Sequence, residues 1–332
     1  MRPNRATLPA CSVRSLLLTA VAATAAVVVF AVAALPGRAA AQSLVFSSRD
    51  QGFSFPGTAG GPEGRIVGGR LVDEQDADYG GGFYTRLLRI VNPTTLSFYC
   101  GGTLIQVIPT TKILTAAHCF TNPQAAVGDL VRIGGLTFNS GIERRISSVV
   151  VHPLYRNTGF DIEYDFAILS VANPPSAADF AAANIGPAFV NGFSRFPRPG
   201  RQLGVVGHGR TIGSNLDSSS NELKYARVPV NSWSQCDAWW TKTGVLGNRR
   251  PASSESIQVC GGLGIPDSTC QGDSGGGLFE RRSVGGRVFF QVFGVVSYGF
   301  ADVDDRRNTC GTLNPVYFAK VSVARSFIRA NL

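Results

Sequence analysis

One short string, Cys270-Gln271-Gly272-Asp273-Ser274-Gly275-Gly276, constrains this chain more than any other. A serine flanked by glycines points to a backbone that turns sharply, because glycine alone enters positive φ without steric cost. Such a turn can aim N–H groups at a bound carbonyl whose oxygen is gaining negative charge. A serine hydroxyl is a weak nucleophile at neutral pH and needs a base to take its proton. Far upstream, Thr115-Ala116-Ala117-His118-Cys119 supplies a candidate base, His118, beside a cysteine that can pin its loop. A fold that uses both strings must bring two distant segments together.

The rest of the chain reads as β-structure. With 39 Gly and 18 Pro in 332 residues, and few apolar stripes at helical spacing, an all-β, turn-rich body is expected. Short strand-like runs occur at Leu87–Val91, Gly102–Val107, Ile146–Val151, Phe166–Val171, Gly204–Val206 and Phe289–Val296. They show no βαβ rhythm, which argues against a parallel sheet. Pro and Gly recur near residues 173–200, marking a linker between two halves. Apolar residues at 321, 323, 327, 328 and 332 fit an amphipathic helix that closes the chain. No internal repeat stands out.

The N-terminus reads as an export signal. Arg2, Arg5 and Arg14 precede an apolar run from about Leu16 to Leu35, and Ala39-Ala40-Ala41 offers a small-residue cleavage site. Residues 1–41 are therefore expected to be a signal peptide; the alternative is a retained anchor over residues 16–35, since that run approaches bilayer length. Residues 42–65 read as a propeptide or linker. The formal charge is +9, and the first 65 residues contribute six Arg against two acids. What remains is a mildly basic, solvated surface without the clustered basic stripe that nucleic-acid binding needs.

Cysteine usage agrees with export. Of seven Cys, Cys11 falls in the signal region, leaving residues 100, 119, 236, 260, 270 and 310. An even number in an exported chain points to disulfides, and spacing alone does not choose among the pairings. No tight CxxC pair suggests a zinc site.

The two opening strings, in this order, resemble the chymotrypsin-like (trypsin-fold, peptidase S1) serine proteases, and the resemblance extends over residues 65–332. It implies two six-stranded antiparallel Greek-key β-barrels packed face to face with a C-terminal α-helix. The first barrel would cover about 66–185, the second about 200–320, and the helix about 321–332. It implies a serine endopeptidase with Ser274 as nucleophile, His118 as general base and then acid, and Asp165 as the carboxylate that orients the imidazole. Asp165 opens the apolar run Phe166-Ala167-Ile168-Leu169, whereas Asp161 and Glu163 lack that sequel in phase and read as solvated. His152, at a strand end, reads as a surface or structural residue, and His208, in a turn, as a packing one. Backbone N–H groups of Gly272 and Ser274 match the oxyanion pair, and Ser297 matches a serine that supports the buried acid and borders substrate.

The resemblance also implies activation. Arg65-Ile66-Val67-Gly68-Gly69 is similar to a zymogen cleavage site, and the new ammonium at Ile66 would pair with Asp273. Disulfides Cys100–Cys119, Cys236–Cys260 and Cys270–Cys310 are implied in the same way. The partners implied are polypeptide substrates, an activating protease and protein inhibitors, for a secreted monomer without cofactor or metal. Residues 133–145 offer only Glu143 to a calcium loop, and no Asn-x-Ser/Thr sequon occurs.

The substrate pocket departs from the pattern. Counting back from Cys270 puts Ser268 on its floor, which leaves the slot neutral and favours large apolar side chains. A one-residue rearrangement would put Asp267 there and select Arg or Lys. Gly299 leaves one wall open, and Pro315 stands on the other where the family usually has glycine. That wall is the support for a competing reading, a catalytically silent binding or regulatory protein on the same fold.

Overall fold

A computed structural model describes residues 66, 69–73, 82–92, 95–158, 162–210, 219–243, 254–267, 269–299 and 314–332. The segments expected to be signal and propeptide, with Arg65, Ser268 and Cys310, lie outside the described residues. Six antiparallel strands close into a barrel in the order Tyr84–Asn92, Thr95–Gln106, Lys112–Thr115, Ala167–Val171, Ile142–Val151 and Leu130–Ile133. Closure bends the ladders, and register shifts fall at Leu87/Leu88, Leu104/Gln106 and Ile146/Ser148. The interior takes Leu87, Leu104, Ile113, Val131, Ile133, Ile146 and Ile168, all essentially without solvent contact. The Ile142–Val151 strand exposes Glu143, Arg145 and Ser147 on the face opposite the buried Ile146.

The second half is an open version of the same plan. Its strands run Arg70–Leu71, Lys224–Pro229, Gln202–Gly207, Gly277–Val284, Arg287–Gly299, Val316–Lys320 and Gln258–Gly261, with Phe189–Val190 added in parallel beside Gln291 and Val292. A single bridge between Val230 and Gly261 joins the two ends of the six-strand run from Lys224–Pro229 to Gln258–Gly261. This half is therefore the expected second six-stranded barrel in a more open form, its seam held by that single bridge. Leu203, Val205, Val228, Leu278, Phe293 and Phe318 fill it, and Ile66 is buried among them.

Aromatic rings pack the two halves together. Phe83, just ahead of the first barrel's opening strand, sits edge-on to Phe279 at 4.8 Å and against Phe290 at 5.1 Å. The C-terminal segment is a 3-10 turn over Val321–Ala324 followed by an α-helix over Arg325–Ala330, and it buries Val321, Ala324 and Ile328. Two further helices, Ala177–Ala182 and Trp233–Thr243, were not expected. The first begins with a capping box in which Ser176 and Asp179 exchange hydrogen bonds. The second does the same through Ser232 and Gln235. Among the described residues no helix is long and apolar enough to cross a membrane.

Because Phe83 joins the halves, Phe83→Ala is expected to destabilise the chain by about 3–5 kcal/mol. A urea titration would show a lower midpoint with an unchanged slope. An unchanged midpoint would mean that this contact does not hold the halves together.

Candidate active site

Asp165 sits in the turn ahead of the Ala167–Val171 strand and has no solvent contact. A buried carboxylate is costly unless donors surround it. Three do. Oδ1 accepts the backbone N–H of His118 at 2.8 Å. Oδ2 accepts His118 Nδ1–H at 2.7 Å and the Ser297 hydroxyl at 2.6 Å. An ionised carboxylate only accepts, so the shared proton belongs to Nδ1, and in a neutral imidazole Nε2 then keeps its lone pair. His118 is partly exposed, in the short turn Ala117–Cys119 that follows the Lys112–Thr115 strand. Cys119 in that turn is bonded to Cys100. Of the competing acids, Glu163 pairs with Arg156 at 2.8 Å, and Asp161 lies outside the described residues.

The Ser274 loop docks beside this histidine turn. The carbonyl of Ser274 accepts Gly101 N–H at 2.8 Å, and the carbonyl of Gly101 accepts the Thr115 hydroxyl at 2.8 Å. Gly275 approaches so closely that an added Cβ would lie 2.2 Å from Thr115 Oγ1. Gly272 holds φ at +100°, a conformation that side chains rarely adopt. Neighbouring amides of the loop are occupied: Asp273 N–H bonds Cys270 O, and Gly275 N–H bonds Val296 O, each at 2.9 Å. Among the described residues no hydrogen bond uses Gly272 N–H or Ser274 N–H, and none joins Ser274 to His118 Nε2. Thr115 and Gly101 carry the docking yet were not singled out in the sequence. The signal for Thr115 was its place at the end of an apolar strand, pointing a hydroxyl inward.

Ser297, Tyr298 and Gly299 form the edge next to this loop. Gly299 pairs with Val316, which follows Pro315, so the two wall positions lie on adjoining chains. Tyr298 stacks on Tyr317 at 4.9 Å and donates its hydroxyl to Gln258 Oε1 at 3.0 Å. Gln258 Nε2 in turn donates to Ile162 O at 2.7 Å, tying this edge to the segment ahead of Asp165. The carboxyl of Asp267 is half buried, and burial pushes its pKa up. Cys236 is bonded to Cys260, and Cys270 is also disulfide-bonded. Cys100, His118 and Cys119 lie close together, but both sulfurs are in the disulfide and neither is a thiolate available to a metal.

Asp273 is the second buried acid. Its Oδ1 accepts Gly209 N–H at 2.8 Å and its Oδ2 accepts Cys270 N–H at 2.9 Å. Burial nevertheless pushes its pKa up to about 6, against the pull of those two hydrogen bonds. A carboxyl with a raised folded pKa favours folding while protonated, and that contribution is lost as pH rises through the folded value. The full-length chain should thus lose on the order of 3 kcal/mol between about pH 4 and pH 7 through this group. Asp273→Asn should remove that part of the slope, which urea titrations at several pH values would reveal. Parallel pH profiles for the two proteins would contradict this.

A six-stranded barrel joined to a curled sheet, with His118 and Ser297 both hydrogen-bonded to the buried Asp165 at their junction, defines a trypsin-like architecture. The Trypsin family model matches residues 66–328, and the chain belongs to this family of serine endopeptidases. It is 32% identical over 277 residues to trypsin zeta of Drosophila melanogaster, covering 82% of this chain and 87% of that one. It is 30% identical over 242 residues to a trypsin of Saccharopolyspora erythraea, covering 70% and 86%. The clotting factor G beta subunit of Tachypleus tridentatus is 29% identical over 243 residues, covering 71% and 72%.

Proposed function

We propose that this chain is a secreted serine endopeptidase, made as a zymogen and activated by cleavage after Arg65. The observation that carries the reading is the buried Asp165 carboxylate, which holds His118 as the Nδ1–H tautomer beside the docked Ser274 loop. In this mechanism Nε2 takes the Ser274 proton as Oγ attacks the scissile carbonyl. The oxyanion that forms accepts from Gly272 N–H and Ser274 N–H. The imidazolium then gives its proton to the leaving amine, and an acyl-enzyme remains. Water, deprotonated by the same Nε2, attacks the ester, releases the acid product and restores the hydroxyl. Catalytic hydrogen bonds are often long in a free enzyme and close only with substrate bound, which accommodates the open Ser274–His118 pair.

Cleavage after Arg65 would create an ammonium at Ile66, whose side chain is already buried in the second half. Asp273 is the matching partner: its buried carboxylate is held by two amides and still destabilised by burial. A cation placed there would lower its pKa and lock the Ser274 loop. Export through residues 1–41, rather than anchorage by residues 16–35, follows from the Ala39-Ala40-Ala41 stop. Ser268 on the pocket floor favours large apolar residues before the scissile bond.

The silent binding-protein reading draws on Pro315 and on the open Ser274–His118 pair. Protein cut after Arg65 and given a mixed peptide library decides between the readings. Cleavage after large apolar residues is expected, with Ser268→Asp shifting the preference to Arg and Lys. Asp165→Asn is expected to lower turnover by roughly 10⁴-fold, the scale known for such triads, because the imidazole then takes the wrong tautomer. No cleavage by the cut protein would leave the silent reading standing.

A further inference from the structure

Arg86 is an unusual residue for the middle of a barrel strand: it is fully buried. Its Nη2 donates to the carbonyls of Gly134 and Ser140, and its Nη1 donates to Thr137 O. All three acceptors belong to the turn between two first-barrel strands. Nη1 also meets His208 Nε2 at 3.1 Å. A guanidinium has no acceptor, so Nε2 must offer a lone pair. Nδ1 lies 2.9 Å from Ser220 O, which can only accept, so Nδ1 carries the proton. His208 is thus a neutral imidazole with both nitrogens assigned, fully buried between Tyr84 and the edge of Phe138. Burial and the Arg86 charge, which together push its pKa down to about 3, agree with that state.

The backbone around His208 forms the wall behind the Ser274 loop. Gly209 N–H donates to Asp273 Oδ1 at 2.8 Å, and Arg210 N–H donates to Gln271 O at 2.9 Å. An added Cβ on Gly207 would lie 1.8 Å from Asp273 Oδ1. Gly272 lies against Gly209, whose Cα would be 3.1 Å from an added Cβ. A continuous path therefore runs from first-barrel carbonyls through Arg86 and His208 to residues 271–273.

We propose that Arg86 and His208 are positioning residues, which fix the Gln271–Ser274 amide loop of the second half relative to the first barrel that carries His118. The proposal rests on the serine endopeptidase reading, because the loop is taken as the oxyanion site. Neither side chain touches substrate. An aromatic hydrocarbon at 208 would fill the space but remove an acceptor from a buried guanidinium, which is more costly than never having the pair.

The test is a double-mutant cycle in protein cut after Arg65: His208→Phe, Arg86→Met and both together. Each single change is expected to lower kcat roughly 10–100-fold, at or below the lower end of the roughly 10²–10³-fold cost of a lost oxyanion donor because the amides are displaced rather than removed, with KM within about twofold. The double variant, with both partners apolar, should be no worse than the poorer single variant. A kcat within about twofold of wild type for His208→Phe, or losses that simply multiply, would overturn the proposal. A thermal melt run alongside separates loss of turnover from loss of fold. Should the variants not fold, ¹⁵N NMR of the wild-type imidazole still decides: Nδ1 protonated and Nε2 bare is expected, and a proton on Nε2 overturns it. A wild-type protein that folds and shows this tautomer yet cleaves no peptide would sink the endopeptidase reading instead.

Discussion

One buried oxygen, Asp165 Oδ2, holds the site together. It accepts from His118, in the turn that follows a first-barrel strand, and from Ser297, which lies on a strand of the second half. The other oxygen accepts the main-chain N–H of His118, so the ring is fixed at two points. A carboxylate stripped of water needs all these donors, and that need makes the arrangement specific. Rotating the imidazole away would leave a buried charge short of a partner. The disulfide between Cys100 and Cys119 restrains the same turn from its other side.

Around this point the two halves meet through different chemistry at different depths. Phe83, Phe279 and Phe290 supply apolar contact. The Ser274 loop leans on Gly101 and Thr115 through backbone and hydroxyl hydrogen bonds. Gly209 and Arg210, which follow His208, reach the same loop from behind through their backbone N–H groups. Asp273 lies at the centre of that loop, where burial raises its pKa.

Much of this was legible because β-strands reveal themselves by alternation and runs of branched residues. The Ile146–Val151 and Phe289–Val296 runs lie inside observed strands. The strand ends were less visible: Thr95–Gln106 passes through Cys100-Gly101-Gly102, where intrinsic preference is weak and pairing with Tyr84–Asn92 decides. The helices at Ala177 and Trp233 are short and weakly patterned, yet their capping pairs Ser176/Asp179 and Ser232/Gln235 stood in the sequence. Asp165 could be told from Glu163 because only it precedes an apolar run. His208 read as a packing residue, because nothing near it in sequence announces Arg86. An arginine between Thr85 and Leu87 in a strand with apolar neighbours was the available clue.

The account turns on whether the oriented His118 activates Ser274. A fluorophosphonate reagent, which reacts with an activated serine hydroxyl, tests this most directly when added to protein cut after Arg65 and followed by peptide mapping. The account predicts about one label per chain, on Ser274, and little label when His118 is replaced by alanine. An unlabelled protein, or label equally rapid without the imidazole, would contradict it.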